Sequence, residues 1–136
     1  MVRLDGMRLL LAVAMVGACA TPAIAAAAPA VSFSADVVPM LRARCVACHM
    51  TGAEPGEIVL TPKKAHASLV GTASTEAKLL RVKPGDPAKS YLLHKLAGTH
   101  LSVGGSGMRM PFGGPPLDQT MMTKLRAWIA AGAPNN

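Results

Sequence analysis

The sequence has few large aromatic side chains with which to fill a hydrophobic core. Only Phe33, Tyr91, Phe112 and Trp128 carry a phenyl, phenol or indole ring in a chain of 136 residues. A chain of this length has room for one domain, and a small domain must bury enough apolar surface to offset the conformational entropy lost on folding. We therefore expect a bound group to occupy part of the centre.

Long hydrophobic runs are also missing, and the apolar stretch over 9–18 is too short to span a bilayer. Arg3 and Arg8 flank its start and small residues follow it, which is typical of a secretory signal. The A-I-A sequence at 23–25 predicts a signal peptide over 1–25, an Ala/Pro-rich linker over 26–32 and a domain over 33–136. Alternatively, a lipoprotein signal ends before Cys19, which then carries a lipid anchor. Either way we expect an exported, periplasmic protein, free or membrane-tethered.

Acidic residues are in the minority. The chain has 14 Lys and Arg against 7 Asp and Glu, a formal net charge of +7. Such a basic surface favours association with an acidic protein surface or with anionic head groups. We do not expect a nucleic-acid partner, because the basic residues are dispersed and no nucleic-acid-binding motif accompanies them.

Start and stop signals predict an all-α domain with about four short helices and long loops. Asp36, predicted as the first N-cap, Thr61-Pro62, Asp86-Pro87 and Asp118 are typical helix starts. Apolar residues then recur at helical spacing, and no stretch alternates as a half-buried strand does. The predicted helices span 37–46, 62–70, 87–97 and 119–131.

One long connection separates the last two helices. Residues 98–116 hold six glycines and three prolines, so we expect no regular element there. A long ordered loop of this kind is typical of a functional segment.

Cys45, Cys48 and His49 form a Cys-x-x-Cys-His motif. Two thiols at this spacing can add to the two vinyl groups of one porphyrin while the adjacent imidazole reaches the iron. The motif therefore predicts one covalently bound haem c, attached through the two cysteines.

Two other interpretations of the cysteine pair are weaker. A thioredoxin-type redox pair needs a strand before the motif and a helix after it, whereas here a helix precedes and a loop follows. Structural zinc needs four ligands, and the remaining histidines of the domain, His66, His94 and His100, are scattered singly.

From about 33 to 133 the chain resembles the class I cytochrome c family, in particular its small bacterial single-haem domains. The motifs that carry the resemblance are CVACH at 45–49, RVKPGDPAKSYLLHKL at 81–96, MRMP at 108–111 and RAWIAAGAP at 126–134. The resemblance implies a cytochrome c-like fold wrapped around one haem, with the N- and C-terminal helices packed together. It also implies that His49 and Met110 are the axial iron ligands.

Met108 and His100 remain alternatives for the second axial ligand. Met110 is favoured because Pro111 restricts residue 110 to an extended conformation and stiffens the loop. The remaining methionines of the helices lie at helical spacing with other apolar residues and are predicted to fill the core: Met40, Met121 and Met122.

Several further residues are predicted to line the haem pocket. Arg81 and Lys83 are candidates for contact with the haem propionates. The favoured interpretation is that both side chains are solvated. The carbonyl of Pro55 or Pro62 is a candidate acceptor for the Nδ1 proton of His49. The predicted pocket walls are Leu79, Leu80, Arg81, Tyr91, Leu92, Leu96, Pro111 and Trp128.

These features predict an electron-transfer protein and not an enzyme. Iron held on both faces has no vacant position for a substrate, and the carboxylates are spread over caps and loops. The expected partners are redox proteins with an acidic docking surface. The protein itself is expected to be either a soluble carrier or the haem subunit of an envelope oxidoreductase. The alternative function is a haem enzyme or gas-binding sensor with an open or displaceable distal site.

Overall fold

The computed structural model describes residues 30–136. The predicted signal peptide, the Cys19 lipid anchor and nearly all of the linker lie outside these residues. Within them the chain forms four α-helices and no strand, which confirms the all-α prediction. The helices are α1 (Val38–Arg44), α2 (Ala65–Leu69), α3 (Tyr91–Ala97) and α4 (Gln119–Ala130).

A π-helical turn, Phe33–Val37, leads directly into α1. Ser32 is its N-cap and accepts a hydrogen bond from the Ala35 amide, while Asp36 accepts one from the Ser32 amide at 3.0 Å. The prediction of Asp36 as the N-cap was therefore wrong. The two side chains form a reciprocal pair that satisfies free amides of the first turn, and Ser32 holds the capping position.

The second and third helices are shorter than predicted. The start signal at Asp86-Pro87 produces a 3₁₀ turn, Pro87–Lys89, and α3 begins only at Tyr91 because Ser90 is extended, with φ −100° and ψ 108°. Gly98, at φ 77°, ends α3 in the left-handed conformation that glycine adopts readily.

The predicted absence of regular structure over 98–116 was partly wrong. His100–Val103 form a 3₁₀ turn, which needs only a few residues and fits between the glycines at 98 and 104. The last helix matches its prediction closely, because the Asp118 carboxylate caps it by accepting the Met121 amide at 2.8 Å.

The core joins the two ends of the domain. Phe33 stacks on Trp128, His66 packs edge-on against Phe33, and all of the Trp128 side chain is buried. The Trp128 indole N–H donates to the Pro134 carbonyl at 2.9 Å. At the surface of the same contact, Nζ of Lys124 in α4 lies 2.7 Å from Oδ1 of Asp36. The first turn and α4 are thus packed together.

The segment between α2 and α3 is held by isolated backbone pairings. Val70 pairs with Val82, and Leu80 pairs with Ser90. These bonds fix the middle of the chain against the start of α3. None of the helices formed by residues 30–136 is long and apolar enough to cross a membrane.

Candidate cofactor-binding site

A cavity of about 500 Å³ opens between α1, the loop that follows it, α3 and the methionine-containing loop before α4. Cys45, Cys48, His49 and Met110 all contribute to its wall. The structure therefore brings together the two predicted attachment residues and the two predicted axial ligands, although His49 and Met110 are far apart in sequence.

The end of α1 places the Cys-x-x-Cys-His motif. The helix ends at Arg44, and two further turns follow, in which the Cys48 amide donates to the Cys45 carbonyl at 3.1 Å and the His49 amide to the Val46 carbonyl at 3.2 Å. The prediction that this helix continues to about residue 46 was therefore about two residues too long. The tight turns keep both thiols and the imidazole on one short stretch of backbone beside the cavity.

The loop after His49 closes on itself around Glu54. Its carboxylate accepts hydrogen bonds from the amides of Met50, Thr51 and Gly52 and from the Thr51 hydroxyl. Backbone N–H groups, including that of Glu54 itself, lower its pKa to about 2. The Leu60 amide then donates to the His49 carbonyl at 2.9 Å and returns the chain to the motif.

Arg81 ties this loop to α2 from the cavity wall. Its guanidinium donates to the carbonyls of Gly56 and Glu57 at 2.9 and 3.0 Å and to the carbonyl of Ser68 at 2.9 Å. The residue is 9% exposed, so the favoured solvated interpretation was wrong for Arg81. Nζ of Lys83 instead lies 3.1 Å from Oδ2 of Asp86, and its side chain is partly exposed.

Burial shifts the pKa values of Cys45 and His49 in the motif. It raises the pKa of the Cys45 thiol to about 11, and it lowers the pKa of the His49 imidazole. A reactive redox cysteine needs a lowered pKa, so Cys45 is unsuited to thiol–disulfide exchange. The lowered pKa of His49 favours its neutral form, which is the form that binds metal.

His49 also carries an unsatisfied polar atom. Its Nδ1 is buried and has no hydrogen-bond partner among residues 30–136. The bond predicted to the carbonyl of Pro55 or Pro62 is not formed. A buried nitrogen without a partner is uncommon in folded proteins. Among residues 30–136, His100 Nδ1 is the other buried side-chain nitrogen in this state, so the feature does not by itself mark the cavity.

The hydrogen bonds that hold the loop carrying Met110 include a backbone bond to α3 and a side-chain bond within the loop. The Met110 amide donates to the Lys95 carbonyl at 3.1 Å, and Arg109 donates to the Gly114 carbonyl at 3.0 Å. The peptide bond between Met110 and Pro111 is cis. Met110 is half-buried against the core, whereas Met108, also on the cavity wall, is 63% exposed.

Five of the eight predicted wall residues line the cavity: Arg81, Tyr91, Leu92, Leu96 and Pro111. The other three do not. Leu79 and Leu80 lie in the paired segment before α3, and Leu80 bonds through its backbone to Tyr91. Trp128 lies in the core against Phe33 and His66.

Several residues of the cavity wall were not predicted from the sequence. Ile58 and Leu60 come from the loop after the motif, and Glu76 from an irregular segment without a local signal. Lys95 had a signal: it follows Tyr91 by four residues and so shares a face of α3 with it.

The three other histidines of the domain are engaged elsewhere. His66 bonds to the Ala133 carbonyl through Nε2, and His94 bonds to Thr99 and Ala88. His100 is buried outside the cavity wall, with Nε2 3.0 Å from the Gly107 carbonyl. None of them lines the cavity.

The residues of the cavity fit a covalently attached haem. Two thiols, a half-buried imidazole and a thioether meet around a space with several apolar walls, among them Leu92 and Leu96. Residues 30–136 contain no group of three or more His, Cys, Asp or Glu side chains arranged to hold a metal ion. A haem needs no such group, because the porphyrin supplies four of the iron ligands.

Comparison of the chain with models of protein families, with curated proteins and with solved structures finds no match. The resemblance to class I cytochromes c therefore remains a prediction that rests on the motifs and on the geometry of this cavity.

Proposed function

We propose that the chain is an electron-transfer protein with a cytochrome c-like fold and one covalently bound haem c. The observation that carries the proposal is the convergence of Cys45, Cys48, His49 and Met110 on one cavity. The first three are neighbours in sequence, but Met110 arrives on a separate loop. This convergence is what a haem with one covalent attachment site and two protein ligands requires.

Each residue has a distinct part in this proposal. Cys45 and Cys48 would attach the haem covalently through their thiols, and the His49 imidazole and the Met110 sulfur would hold its iron. The bound haem supplies a one-electron Fe(II)/Fe(III) couple. Leu92 and Leu96 exclude water from one side of the cavity, which limits the reorganisation that accompanies a change of charge.

The guanidinium of Arg81 supplies a positive charge at the same wall. A carboxylate of the haem is the natural counter-ion for a cation that is nearly buried and that otherwise contacts only neutral oxygens. In this role Arg81 orients the cofactor and at the same time fixes the loop at 56–57.

A carrier role follows from ligation by Met110. Iron with two protein ligands has no open position for a substrate, and a thioether raises the reduction potential relative to a second histidine. The competing function, a haem enzyme or gas sensor, needs an open distal side. His100, its candidate distal group, is bonded to the Gly107 loop backbone outside the cavity wall.

We further propose that the protein works in the cell envelope and exchanges electrons with acidic redox proteins, as a free carrier or as a haem subunit. The support is the sequence of the first 25 residues and the excess of Lys and Arg over Asp and Glu in the rest of the chain.

Mass spectrometry of the purified protein under denaturing conditions tests the haem directly. We expect the denatured wild-type protein to keep an added mass of one haem. The fraction of protein that carries this mass should fall, or reach zero, in Cys45→Ser and in Cys48→Ser. A polypeptide with no added mass, purified from cells that attach haem to a control cytochrome, would contradict the proposal. Rapid binding of carbon monoxide to the reduced protein at neutral pH would retain the haem but reject the six-coordinate carrier.

A further inference from the structure

An ion pair lies in the wall of the cavity, next to the loop that carries Met110. Nζ of Lys95 is 2.6 Å from Oε2 of Glu76, and the two side chains are 10% and 22% exposed. The Tyr91 hydroxyl donates to the same Glu76 oxygen at 2.9 Å. We call these three residues the Glu76 cluster. The side chains of the other ion pairs within residues 30–136 are more exposed.

Lys95 attaches the loop at two points. Its Nζ donates to the Ser106 carbonyl at 2.6 Å, and its own carbonyl accepts the Met110 amide at 3.1 Å. Lys95 belongs to α3, so both ends of the segment 106–110 are fastened to a single residue of a helix. The bond from Nζ is charge-assisted, and such bonds are stronger than those between neutral groups.

The backbone of the loop lies directly on the Glu76 cluster. At Gly107, which has φ +73°, a Cβ atom would lie 3.2 Å from Nζ of Lys95 and 3.5 Å from a Glu76 oxygen. At Gly105 a Cβ would overlap the Tyr91 hydroxyl. A side chain at Gly105 would displace the loop from Tyr91, and one at Gly107 would be strained by the positive φ and would crowd Nζ of Lys95. The two glycines therefore permit the close approach that the bond from Lys95 requires.

We propose that Lys95, oriented by Glu76, is a positioning residue that holds Met110 in the place from which its sulfur binds the haem iron. A neutral thioether is a weak ligand, and it competes with water and added ligands only if its loop is already ordered. Fastening the loop to α3 lowers the entropy that ligation costs. This inference rests on the proposed function.

The test compares Lys95→Met with Lys124→Met in the haem-loaded protein. Lys124 forms an ion pair of similar length with Asp36 but is more exposed and lies outside the cavity, so it controls for the loss of a lysine ion pair away from the site. The readout is the affinity of the ferric protein for imidazole, which must displace the methionine. We expect affinity to rise about tenfold in Lys95→Met, the scale of one lost charge-assisted hydrogen bond, and to stay unchanged in Lys124→Met.

Two further measurements separate positioning from general destabilisation. The absorption band of the methionine–iron(III) bond should weaken in Lys95→Met, and hydrogen exchange of the Met110 amide should accelerate, while both stay unchanged in Lys124→Met. Glu76→Gln keeps the size of the side chain but removes the charge that orients Lys95, so it should shift all three readouts in the same direction. If Lys95→Met does not assemble with haem, the three readouts in Glu76→Gln decide whether the Glu76 cluster positions Met110.

The two proposals fail differently. A wild-type protein without covalent haem, or one that lacks the methionine–iron band, overturns the proposed function and this inference with it. A wild-type protein with that band, whose imidazole affinity is unaltered by both Lys95→Met and Glu76→Gln, overturns the positioning role and leaves the carrier intact.

Discussion

Phe33 stacks on Trp128 with ring centroids 5.2 Å apart and ring planes inclined by 30°. One ring comes from the turn that precedes α1 and the other from α4, so this contact joins the first and last turns of the described domain. His66 packs against both rings, at 5.1 Å from Phe33 and 6.2 Å from Trp128. The Cys-x-x-Cys-His motif follows α1 directly, so the stack also supports the position of the proposed haem attachment residues.

Replacing Trp128 by alanine should therefore destabilise the domain strongly. Loss of a large, fully buried aromatic side chain costs about 3–5 kcal/mol. Trp128→Phe should cost less, because it keeps a ring against Phe33 and loses mainly the hydrogen bond to the Pro134 carbonyl. Denaturant unfolding of the haem-loaded proteins, followed by circular dichroism, measures both values. Equal stability of the alanine variant and the wild type would contradict this account of the core.

Met110→Ala and Met108→Ala should differ clearly in their effect on the haem. Met110 is half-buried and its amide is bonded to α3, whereas Met108 is 63% exposed. Removing the Met110 sulfur should lower the midpoint potential and open the reduced iron to carbon monoxide. Met108→Ala, the control, should leave both unchanged. Potentiometry and carbon monoxide titration measure the difference, and the reverse pattern would assign the ligand to Met108.

Glu54 gives the domain a specific dependence on acid. Its pKa is lowered to about 2 by hydrogen bonds from backbone amides of its own loop, so the folded state favours the charged carboxylate. A depressed pKa contributes stability that is fully present above the unfolded value of about 4.3 and that is lost as pH falls through the folded value.

Glu54→Gln should consequently be less stable than the wild type at neutral pH, and the difference should shrink between about pH 4.5 and pH 2. Glu57→Gln, a change of an exposed carboxylate three residues further on, is the matched control. Urea unfolding at a series of pH values provides the measurement. A difference between Glu54→Gln and wild type that stays constant down to pH 2 would show that the charge is not responsible.

Local signals made part of this structure predictable from the sequence. Asp118 caps α4 through its own first turn, and Cys45 to His49 are contiguous, so both could be recognised without knowing the fold. The helix at 62–70 was overestimated, because Thr61-Pro62 is followed by turns and α2 begins only at Ala65.

Contacts between distant segments were not predictable in this way. Glu76 and Lys95 are 19 residues apart, and no spacing rule connects an irregular segment to a helix. Trp128 was assigned to the pocket because burial in a core and burial against a cofactor select the same apolar residues. Only the packing of Trp128 on Phe33 distinguishes the two.

If the protein carries electrons as proposed, the mouth of the cavity is where we expect them to leave it. Phe112 lies on the cavity wall and is 72% exposed, which makes it the apolar group best placed to contact a redox partner. Leu101 is similarly exposed, at 66%, but does not line the cavity. The two positions therefore form a matched pair for testing whether partners dock at the cavity mouth.

We expect Phe112→Ser to slow electron exchange with an acidic donor such as a reduced flavodoxin severalfold, while Leu101→Ser leaves the rate unchanged. The rate for the wild type should fall as ionic strength rises towards 0.15 M, where charges more than about 8 Å apart are largely screened. Stopped-flow kinetics measures both effects. Equal rates for the two serine variants would place the docking surface away from Phe112. A rate independent of salt would show that the net positive charge does not guide partner recognition.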